Sequence, residues 1–248
     1  MSVVKSSIKR MLPPVAYNYL REYRNLWVCR TRQKVPDRGA RAQIFASFYG
    51  TDLWGSSESS SGYGSTLEQT RSLRAILPTL LRRYGVSTML DIACGDWNWM
   101  SHVELSLARY IGADVVVPLV ERNQERYGDD RHAFLVLDAV VDKLPKVDLI
   151  FSRDTLDHLP LADVSAVLRN FKSSGATYML ITHYPAVRRN CDIRAGNWRP
   201  VNFLRAPFRL SPPIEMIDEG PWEFTTLGPR TMALWRLDQV PLAAAKKS

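Results

Sequence analysis

An apolar segment that ends in an acidic residue and a tight turn constrains this 248-residue chain more than any other feature. Residues 89–96 (MLDIACGD) have the pattern of a buried strand that leads into a turn around Gly95. Asp114 follows nineteen residues after Gly95, at the end of a second apolar segment. This pattern predicts an arrangement that binds a nucleoside: a strand, a turn, a helix, a second strand and then a carboxylate. The carboxylate accepts hydrogen bonds from the ribose hydroxyls.

The turn departs from the dinucleotide-binding pattern, in which three glycines follow the first strand. Ala93 and Trp97 stand where that pattern has glycine. Those glycines bring the backbone against a pyrophosphate group at a helix N-terminus. Their absence indicates a ligand that has a ribose but no phosphates, and S-adenosylmethionine (SAM) is such a ligand.

Composition favours one large domain with appendages. Apolar residues make up 46% of the chain, enough for a core. The chain has no run of about 18 apolar residues and no apolar signal segment, so we expect a cytoplasmic location. Three scattered cysteines, Cys29, Cys94 and Cys191, predict neither a disulfide framework nor a zinc site.

The net charge of +8 is concentrated near the N-terminus, where residues 1–41 hold ten basic and two acidic residues. Aromatic residues recur at helical spacing within this arm, beyond Pro14. One interpretation of this arm is a helix that lies at a membrane surface, so that the cytoplasmic protein is membrane-associated. The alternative is a helix that packs on the domain, or on a second subunit in a homodimer. Because the basic charge lies in an arm and not around a site, nucleic acid is not expected as a partner.

A segment rich in Gly and Ser, residues 54–65, precedes a predicted helix. Ser65-Thr66-Leu67-Glu68 is a capping box, which predicts that the helix begins there. The segment is interpreted as a lid over the methionine end of SAM, because its free backbone N–H groups suit a carboxylate. A plain linker is the alternative.

Strands and helices alternate from Val86 onward, which predicts an α/β fold: a Rossmann-like, doubly wound, mostly parallel seven-stranded sheet with helices on both faces. The predicted strands are 87–92, 109–114, 133–138, 147–152, 177–183, 221–227 and 231–237, and the predicted helices lie near 97–106, 117–127 and 161–173. The predicted parts are a basic arm (1–41), a lid loop and helix (42–85), a SAM-binding domain (86–237) with a substrate insertion (184–230), and a tail (238–248).

Over residues 45–237 the chain resembles the class I SAM-dependent methyltransferases. Residues 90–96, Asp114, 137–139 and 152–159 carry the resemblance. A closer resemblance is to a bacterial subgroup associated with sugar and polysaccharide modification, including enzymes that O-methylate mannose-containing precursors of methylmannose polysaccharides. Four motifs match that subgroup in order: 54–65, 91–100, 153–159 and 192–202.

The resemblance implies a set of cofactor-binding residues. Asp91 and Gly95 would line the methionine part of SAM, Asp114 would bind the ribose, and residues 138–139 would border the adenine. The full implied set is Ser61, Gly62, Ser65, Asp91, Ala93, Gly95, Asp114, Asp138 and Ala139.

Methyl transfer to a hydroxyl requires removal of the hydroxyl proton by a general base or acidification by a metal. His158 and His183 follow predicted strands at the ligand edge of the sheet, and either could be the base. Asp154 could orient the base or hold a divalent ion such as Mg²⁺. The alternatives are that His158 caps or packs the next helix and that His183 is structural.

The sequence therefore predicts a SAM-dependent O-methyltransferase that acts on a sugar hydroxyl of an oligosaccharide or polysaccharide precursor, with a carbohydrate as acceptor. The alternatives are a methyltransferase for a small natural product or a lipid-linked acceptor, and a catalytically idle SAM-binding scaffold. Arg188, Arg189, Arg194 and Arg199 indicate an anionic or polyhydroxylated acceptor, or a solvated loop face.

Overall fold

The computed structural model describes residues 35–49, 56–220 and 230–241. The aromatic helix predicted in the basic arm and the strand predicted at 221–227 lie outside the described residues, as does the beginning of the Gly/Ser segment. Within the described parts, no helix combines the length and the apolar character needed to cross a bilayer.

A seven-stranded sheet forms the centre of the described structure, with the strand order β3-β2-β1-β4-β5-β7-β6. Strands β1 to β5 are parallel to one another, and β7 is antiparallel to both β5 and β6. The prediction of a mostly parallel sheet is confirmed. The strands are β1 Thr88–Ile92, β2 Arg109–Asp114, β3 His132–Val136, β4 Leu149–Ser152, β5 Tyr178–His183, β6 Glu215–Asp218 and β7 Thr231–Arg236.

The strand order reverses at β1, whose neighbours are β2 on one side and β4 on the other. Because these strands are parallel, their carboxyl ends meet at one edge of the sheet. Asp114 ends β2 and His183 ends β5, so both lie at this edge. In open α/β sheets the crevice at such a reversal is where ligands bind.

Four helices flank the sheet in the described residues. Their bounds are α1 Arg38–Tyr49, α2 Arg71–Arg83, α3 Val117–Tyr127 and α4 Leu161–Ser173. The bounds of α3 and α4 agree with the predicted ones, because both helices have a regular apolar face and clear flanking turns. Helix α1 crosses residue 41, where the arm was predicted to end.

The core lies on both faces of the sheet. Alternate residues of β1 point to opposite faces, so that Leu90 joins the apolar cluster of α4 and Met89 joins that of α2. Strand β5 alternates in the same way, with Ile181 on the α4 side and Leu180 on the α2 side. This arrangement confirms helices on both faces of the sheet.

The helix predicted near 97–106 is wrong. Only a short 3₁₀ turn, Met100–His102, occurs there. Trp97 has a φ of +56°, which interrupts a right-handed helix, and its ring packs among Tyr110, Tyr127 and Phe134. The burial of the Trp97 indole in the assembled sheet outweighs the helical spacing of apolar residues that predicted a helix here.

The capping box predicted at Ser65 is also wrong, since helix α2 begins only at Arg71. The backbone N–H of Leu67 donates instead to Glu58 Oε1 over 2.7 Å, and Thr66 Oγ1 accepts the N–H of Gln69. Glu58, from the serine-rich segment, thus accepts the Leu67 N–H, whereas the predicted capping box would have used its own residues as hydrogen-bond acceptors. Strand β6 was not predicted, because its four residues have little apolar alternation.

Candidate active site

Asp91 lies in β1, beneath the turn that follows the strand. Its carboxylate is buried and accepts a hydrogen bond of 2.6 Å from the hydroxyl of Tyr110. Burial raises the pKa of Asp91 to about 7, and the nearby charge of Asp114 contributes in the same direction. The carboxyl edge therefore contains an acid whose ionised form is poorly solvated and that would gain from a cationic ligand.

Asp114 holds the turn against the end of β2. Its Oδ2 accepts the backbone N–H of Gly95 over 3.3 Å, and its Oδ1 accepts that of Val116 over 3.1 Å. Burial raises the pKa of Asp114 to about 6. Gly95 has a φ of +58°, and a Cβ at this position would lie 2.3 Å from Ser61 Oγ, so the turn requires glycine.

The serine-rich loop is fastened over this turn by Asp96. The carboxylate of Asp96 accepts hydrogen bonds from the hydroxyls of Ser59, Ser60 and Ser61 and from the backbone N–H of Ser60. In return, the N–H of Asp96 donates to Ser61 Oγ over 2.9 Å. The segment interpreted as a lid therefore lies directly on the turn, with Ser61 at the point of contact.

The other residues of the implied cofactor set surround this contact. Gly62 and Ser65 form the next turn of the loop, in which the N–H of Ser65 donates to the carbonyl of Gly62. The N–H of Ala93 donates to Thr155 Oγ1 over 3.1 Å. Ala139 is buried, and its carbonyl accepts from Asn170. These residues share one edge of the sheet, while their contacts to a cofactor stay predictions.

Helix α1 brings two residues to the same edge that the sequence did not indicate. Arg41 is buried and donates through Nε to both oxygens of Asp138 and through Nη1 to Asp163. Tyr49 Oη lies 3.7 Å from the position that a Cβ on Gly95 would occupy. Burial raises the pKa of Tyr49 well above its ordinary value, and the charge of Asp114 adds to this shift.

The sequence did not identify Arg41 as a site residue, because Arg41 is one of ten basic residues among the first 41. Its guanidinium binds Asp138, the carboxylate that the resemblance places at the adenine. The charge of Asp138 is thus compensated within the protein by an ion pair of 2.9 Å.

A second group of charged residues follows β4. Arg230 donates to Asp154 Oδ2 over 2.7 Å and to Glu219 Oε2 over 3.1 Å. Arg153 donates to the same Glu219 oxygen over 2.8 Å. Burial alone would raise the pKa of Asp154, but the positive charges of Arg230 and Arg153 lower it below the ordinary value. Asp154 is therefore an ionised carboxylate at neutral pH.

Asp154 Oδ1, Asp157 Oδ1 and Tyr184 Oη are three of the five buried side-chain oxygen atoms that have no hydrogen-bond partner among the described residues; the other two are Ser152 Oγ and Glu219 Oε1. The negative charges of Asp154 and Asp157 both raise the pKa of the Tyr184 hydroxyl, after burial, so the three side chains are neighbours. Buried polar atoms are normally paired, and a cluster of unpaired ones indicates a place for a polar ligand.

His158 lies beside these carboxylates. Its Nδ1 is 3.0 Å from the carbonyl oxygen of Asn197, so Nδ1 carries the hydrogen and the lone pair belongs to Nε2. A positive charge on His158 lowers the pKa of both Asp154 and Asp157, so the three groups interact electrostatically. The ring is half-buried, which leaves it within reach of a ligand.

Comparison with known families gives this edge of the sheet a chemical context. Residues 90–174 match a family model described as a methyltransferase domain. Over these residues the chain resembles a methyltransferase domain. The match spans β1 to α4 and so includes Asp91, Asp114, Asp154 and His158. No curated protein matches the chain by sequence.

Solved structures show the same fold as this methyltransferase domain. The 1,6-didemethyltoxoflavin N1-methyltransferase of Burkholderia thailandensis, with S-adenosylhomocysteine bound, is 15% identical and has a TM-score of 0.58 over 83% of this chain and 92% of that one. The N-methyltransferase NodS of Bradyrhizobium japonicum, also with S-adenosylhomocysteine, is 14% identical, with a TM-score of 0.57 over 79% of this chain and 97% of that one.

The magnesium protoporphyrin IX methyltransferase of Synechocystis, with SAM bound, is 14% identical, with a TM-score of 0.54 over 82% of this chain and 98% of that one. At such identities the likeness shows the fold alone. Together with the family match, it supports a SAM-dependent methyltransferase of class I.

His183 is placed differently from His158. It is fully buried, packs against Phe203 and Trp235, and its Nδ1 accepts the backbone N–H of Phe203 over 3.3 Å. Burial among apolar rings lowers its pKa to about 4. The lone pair of His183 Nδ1 thus accepts a backbone hydrogen bond. This geometry favours a structural role for His183 over the role of a general base.

The insertion after β5 closes one side of the methyltransferase domain. Trp198 Nε1 donates to Asp157 Oδ2 over 2.8 Å, and the buried Arg199 donates to the carbonyls of Leu156 and Leu159. Arg199 therefore holds the insertion to the loop after β4. Asp192 accepts the N–H of Leu161 at the start of α4.

Among residues 35–49, 56–220 and 230–241, no group of three or more His, Cys, Asp or Glu side chains has the arrangement of a metal site. Asp154, which the sequence offered as a holder of a divalent ion, is paired with Arg230 instead.

Proposed function

We propose that this chain is a SAM-dependent O-methyltransferase that methylates a sugar hydroxyl of an oligosaccharide or polysaccharide precursor. One observation carries the proposal: the Nε2 lone pair of His158 belongs to a half-buried ring that interacts with the ionised carboxylate of Asp154 and with Asp157, whose pKa is raised by burial, at the carboxyl edge of the sheet. This is the arrangement of a general base for an acceptor whose proton must be removed.

The acidic residues in β1 and at the end of β2 suit the functional groups of SAM. Asp114 provides carboxylate oxygens suited to ribose hydroxyls, and Asp91 is a buried acid suited to a cationic amino-acid group. Ser61 and Tyr49 lie against the turn at Gly95. When bound, SAM supplies an electrophilic methyl group.

His158 takes up the proton of the acceptor hydroxyl at Nε2 as the oxygen attacks. The imidazolium that forms is stabilised by the negative charge of Asp154. Asp154 is itself a poor base at neutral pH, because Arg230 keeps its pKa low, and it acts as a hydrogen-bond acceptor that positions the substrate.

The unpaired oxygens support a polyhydroxylated acceptor. Tyr184 Oη can donate a hydrogen bond, whereas Asp154 Oδ1 and Asp157 Oδ1 accept. A sugar has adjacent hydroxyls that both donate and accept, so it can pair with all three atoms. An acceptor with a single hydroxyl would leave buried polar atoms unpaired, at a cost of about 1–3 kcal/mol for each.

Mass spectrometry of the full chain incubated with SAM and a panel of mono-, di- and oligosaccharides tests the proposal. We expect a sugar to gain the mass of one CH₂ group, and we expect His158→Ala to abolish this gain while SAM binding, measured by calorimetry, is unchanged. His132→Ala is the matched control, since His132 begins β3 and so lies at the opposite, amino edge of the sheet.

Parallel reactions with Mg²⁺ and with EDTA test whether the reaction requires a divalent ion. If no sugar is methylated although SAM binds, the sugar assignment is contradicted. Methylation of a small natural product or a lipid-linked acceptor in the same panel would then identify the acceptor class, and the absence of any methylated product would favour the idle scaffold.

A further inference from the structure

Four arginines surround a cavity of about 520 Å³ in the insertion after β5. They come from two separate segments, and Leu204 and Ala206 complete the lining. The arginines are Arg188, Arg189, Arg205 and Arg209. All four are exposed, so a ligand from solution can reach them.

Two buried asparagines fix the two segments relative to each other. Asn190 donates through Nδ2 to the carbonyls of Asn202 and Ala206 and accepts the N–H of Asn202, with distances of 2.8–2.9 Å. Asn202 donates through Nδ2 to the carbonyls of Pro185 and Val187. The pocket is therefore built on a rigid hydrogen-bonded frame, although its lining consists of long side chains.

The positive charge of the pocket is not compensated within the described residues. None of the four arginines forms an ion pair there, and the lining contains no acidic side chain. This is not a reflection of general basicity, because residues 42–248 carry no net charge. Four like charges around one cavity repel each other unless an anion is bound between them.

Arg209 adds a further sign of a built site. Its φ is +50°, in the left-handed region that non-glycine residues rarely adopt. The turn that places it there is closed by hydrogen bonds from the N–H groups of Phe208 and Arg209 to the carbonyl of Arg205. An arginine is retained where glycine would be conformationally favoured, which indicates that its side chain is needed.

We infer that this pocket binds a phosphate group. Guanidinium groups bind the oxygens of a phosphate through paired, charge-assisted hydrogen bonds. Four of them exceed what a single carboxylate can pair with, whereas a doubly charged tetrahedral oxyanion presents oxygens to several sides. Free phosphate, a sugar phosphate and a lipid phosphate share this chemistry. The inference does not depend on the proposed methyl transfer.

Titration calorimetry of the full chain with inorganic pyrophosphate tests the inference. We expect saturable binding that weakens about tenfold or more in the double variant Arg189→Ala/Arg205→Ala, because two charge-assisted contacts are removed. The matched control is Arg109→Ala/Arg131→Ala, which removes the same charge from two exposed arginines at the amino ends of β2 and β3. Thermal unfolding of each variant verifies the fold.

Two further titrations distinguish the sources of the phosphate. Tighter binding of mannose 1-phosphate than of inorganic phosphate indicates a sugar phosphate, and binding to phosphatidylcholine vesicles only when they contain phosphatidic acid indicates a lipid. Absence of saturable binding of all these probes overturns the inference, and so does an equal loss of affinity in the control variant. Neither result bears on methyl transfer, which is measured separately.

Discussion

The two halves of the carboxyl edge contain buried carboxylates that behave in opposite ways. On the side of β1 and β2, burial raises the pKa of Asp91 to about 7, since its hydrogen-bond partner is the neutral Tyr110. On the side of β4, the pKa of Asp154 is lowered, because Arg230 lies 2.7 Å away. Burial alone does not decide the charge of an acid; its partner does.

The difference matches the task proposed for each side. Asp91 carries an unfavourable charge that a cationic ligand would stabilise, whereas Asp154 has its counter-ion supplied by the protein and keeps a fixed negative charge beside His158. The cofactor side is therefore prepared for a ligand with positive charge, and the acceptor side is prepared to stabilise an imidazolium.

The largest effect is expected for the acceptor side. His158→Ala should lower the rate of methyl transfer by about 10²–10⁴-fold, the usual contribution of a general base. The affinity for SAM should not change, since His158 lies on the other side of the edge. Single-turnover kinetics with saturating SAM measure the effect. A variant that loses SAM affinity and rate in parallel would show that the two sides are not separate.

The counter-ion of Asp154 can be removed directly. Arg230→Met should lower the free energy of unfolding by about 3–5 kcal/mol, because it removes one of the two arginines that pair with Asp154 and the buried Glu219 and leaves only Arg153. Arg236→Met at the end of β7 is the control, since Arg236 is partly exposed and its ion pair with Asp238 lies in solvent, so its loss should change stability far less. Urea unfolding measures both. Equal losses would contradict a special role for the buried pairs.

On the cofactor side the removal of a charge should stabilise the ligand-free protein. The pKa of Asp91 is higher in the folded state than in the unfolded state. Ionised Asp91 therefore destabilises the folded protein, and this cost in stability grows as the pH rises toward about 7. Asp91→Asn should therefore gain stability over the natural protein between pH 5 and pH 8, by on the order of 2 kcal/mol, while SAM affinity falls.

Urea unfolding of Asp91→Asn at several pH values measures the gain. Asp129→Asn is a suitable control, because the hydrogen bond with His132 lowers the pKa of Asp129 to about 2, so this acid does not titrate between pH 5 and pH 8. A constant difference between Asp91→Asn and the natural protein over this range would show that Asp91 is ionised throughout, as Asp154 is.

The smallest effect concerns the insertion on the acceptor side. Arg209→Gly should raise the free energy of unfolding by about 1 kcal/mol, because glycine adopts a positive φ without a steric penalty. Arg205→Gly, at a position without positive φ, should give no such gain. Thermal unfolding compares the two. A loss of stability in Arg209→Gly would mean that the side chain contributes packing as well as charge.

The sequence was most informative where a site residue lies next to a regular element. The bounds of α3 and α4 follow from apolar periodicity, and the position of Asp114 follows from the end of β2. The sequence was misleading near Trp97, whose ring is buried by residues of β2, β3 and α3. Helical spacing around Trp97 could not reveal those contacts, because they form only when the sheet is assembled.

The sequence by itself determined the order of the strands in the chain, the apolar faces and the residues that follow each strand, because these depend on local periodicity and burial. Only the tertiary structure decided which charges meet. Arg41 reaches Asp138 across 97 positions, and Arg230 reaches Asp154 across 76. The tertiary structure also placed His158 at the edge and His183 in the core. The charge and proton affinity of a side chain depend on its neighbours in space, and those neighbours are set by the packing of the whole domain.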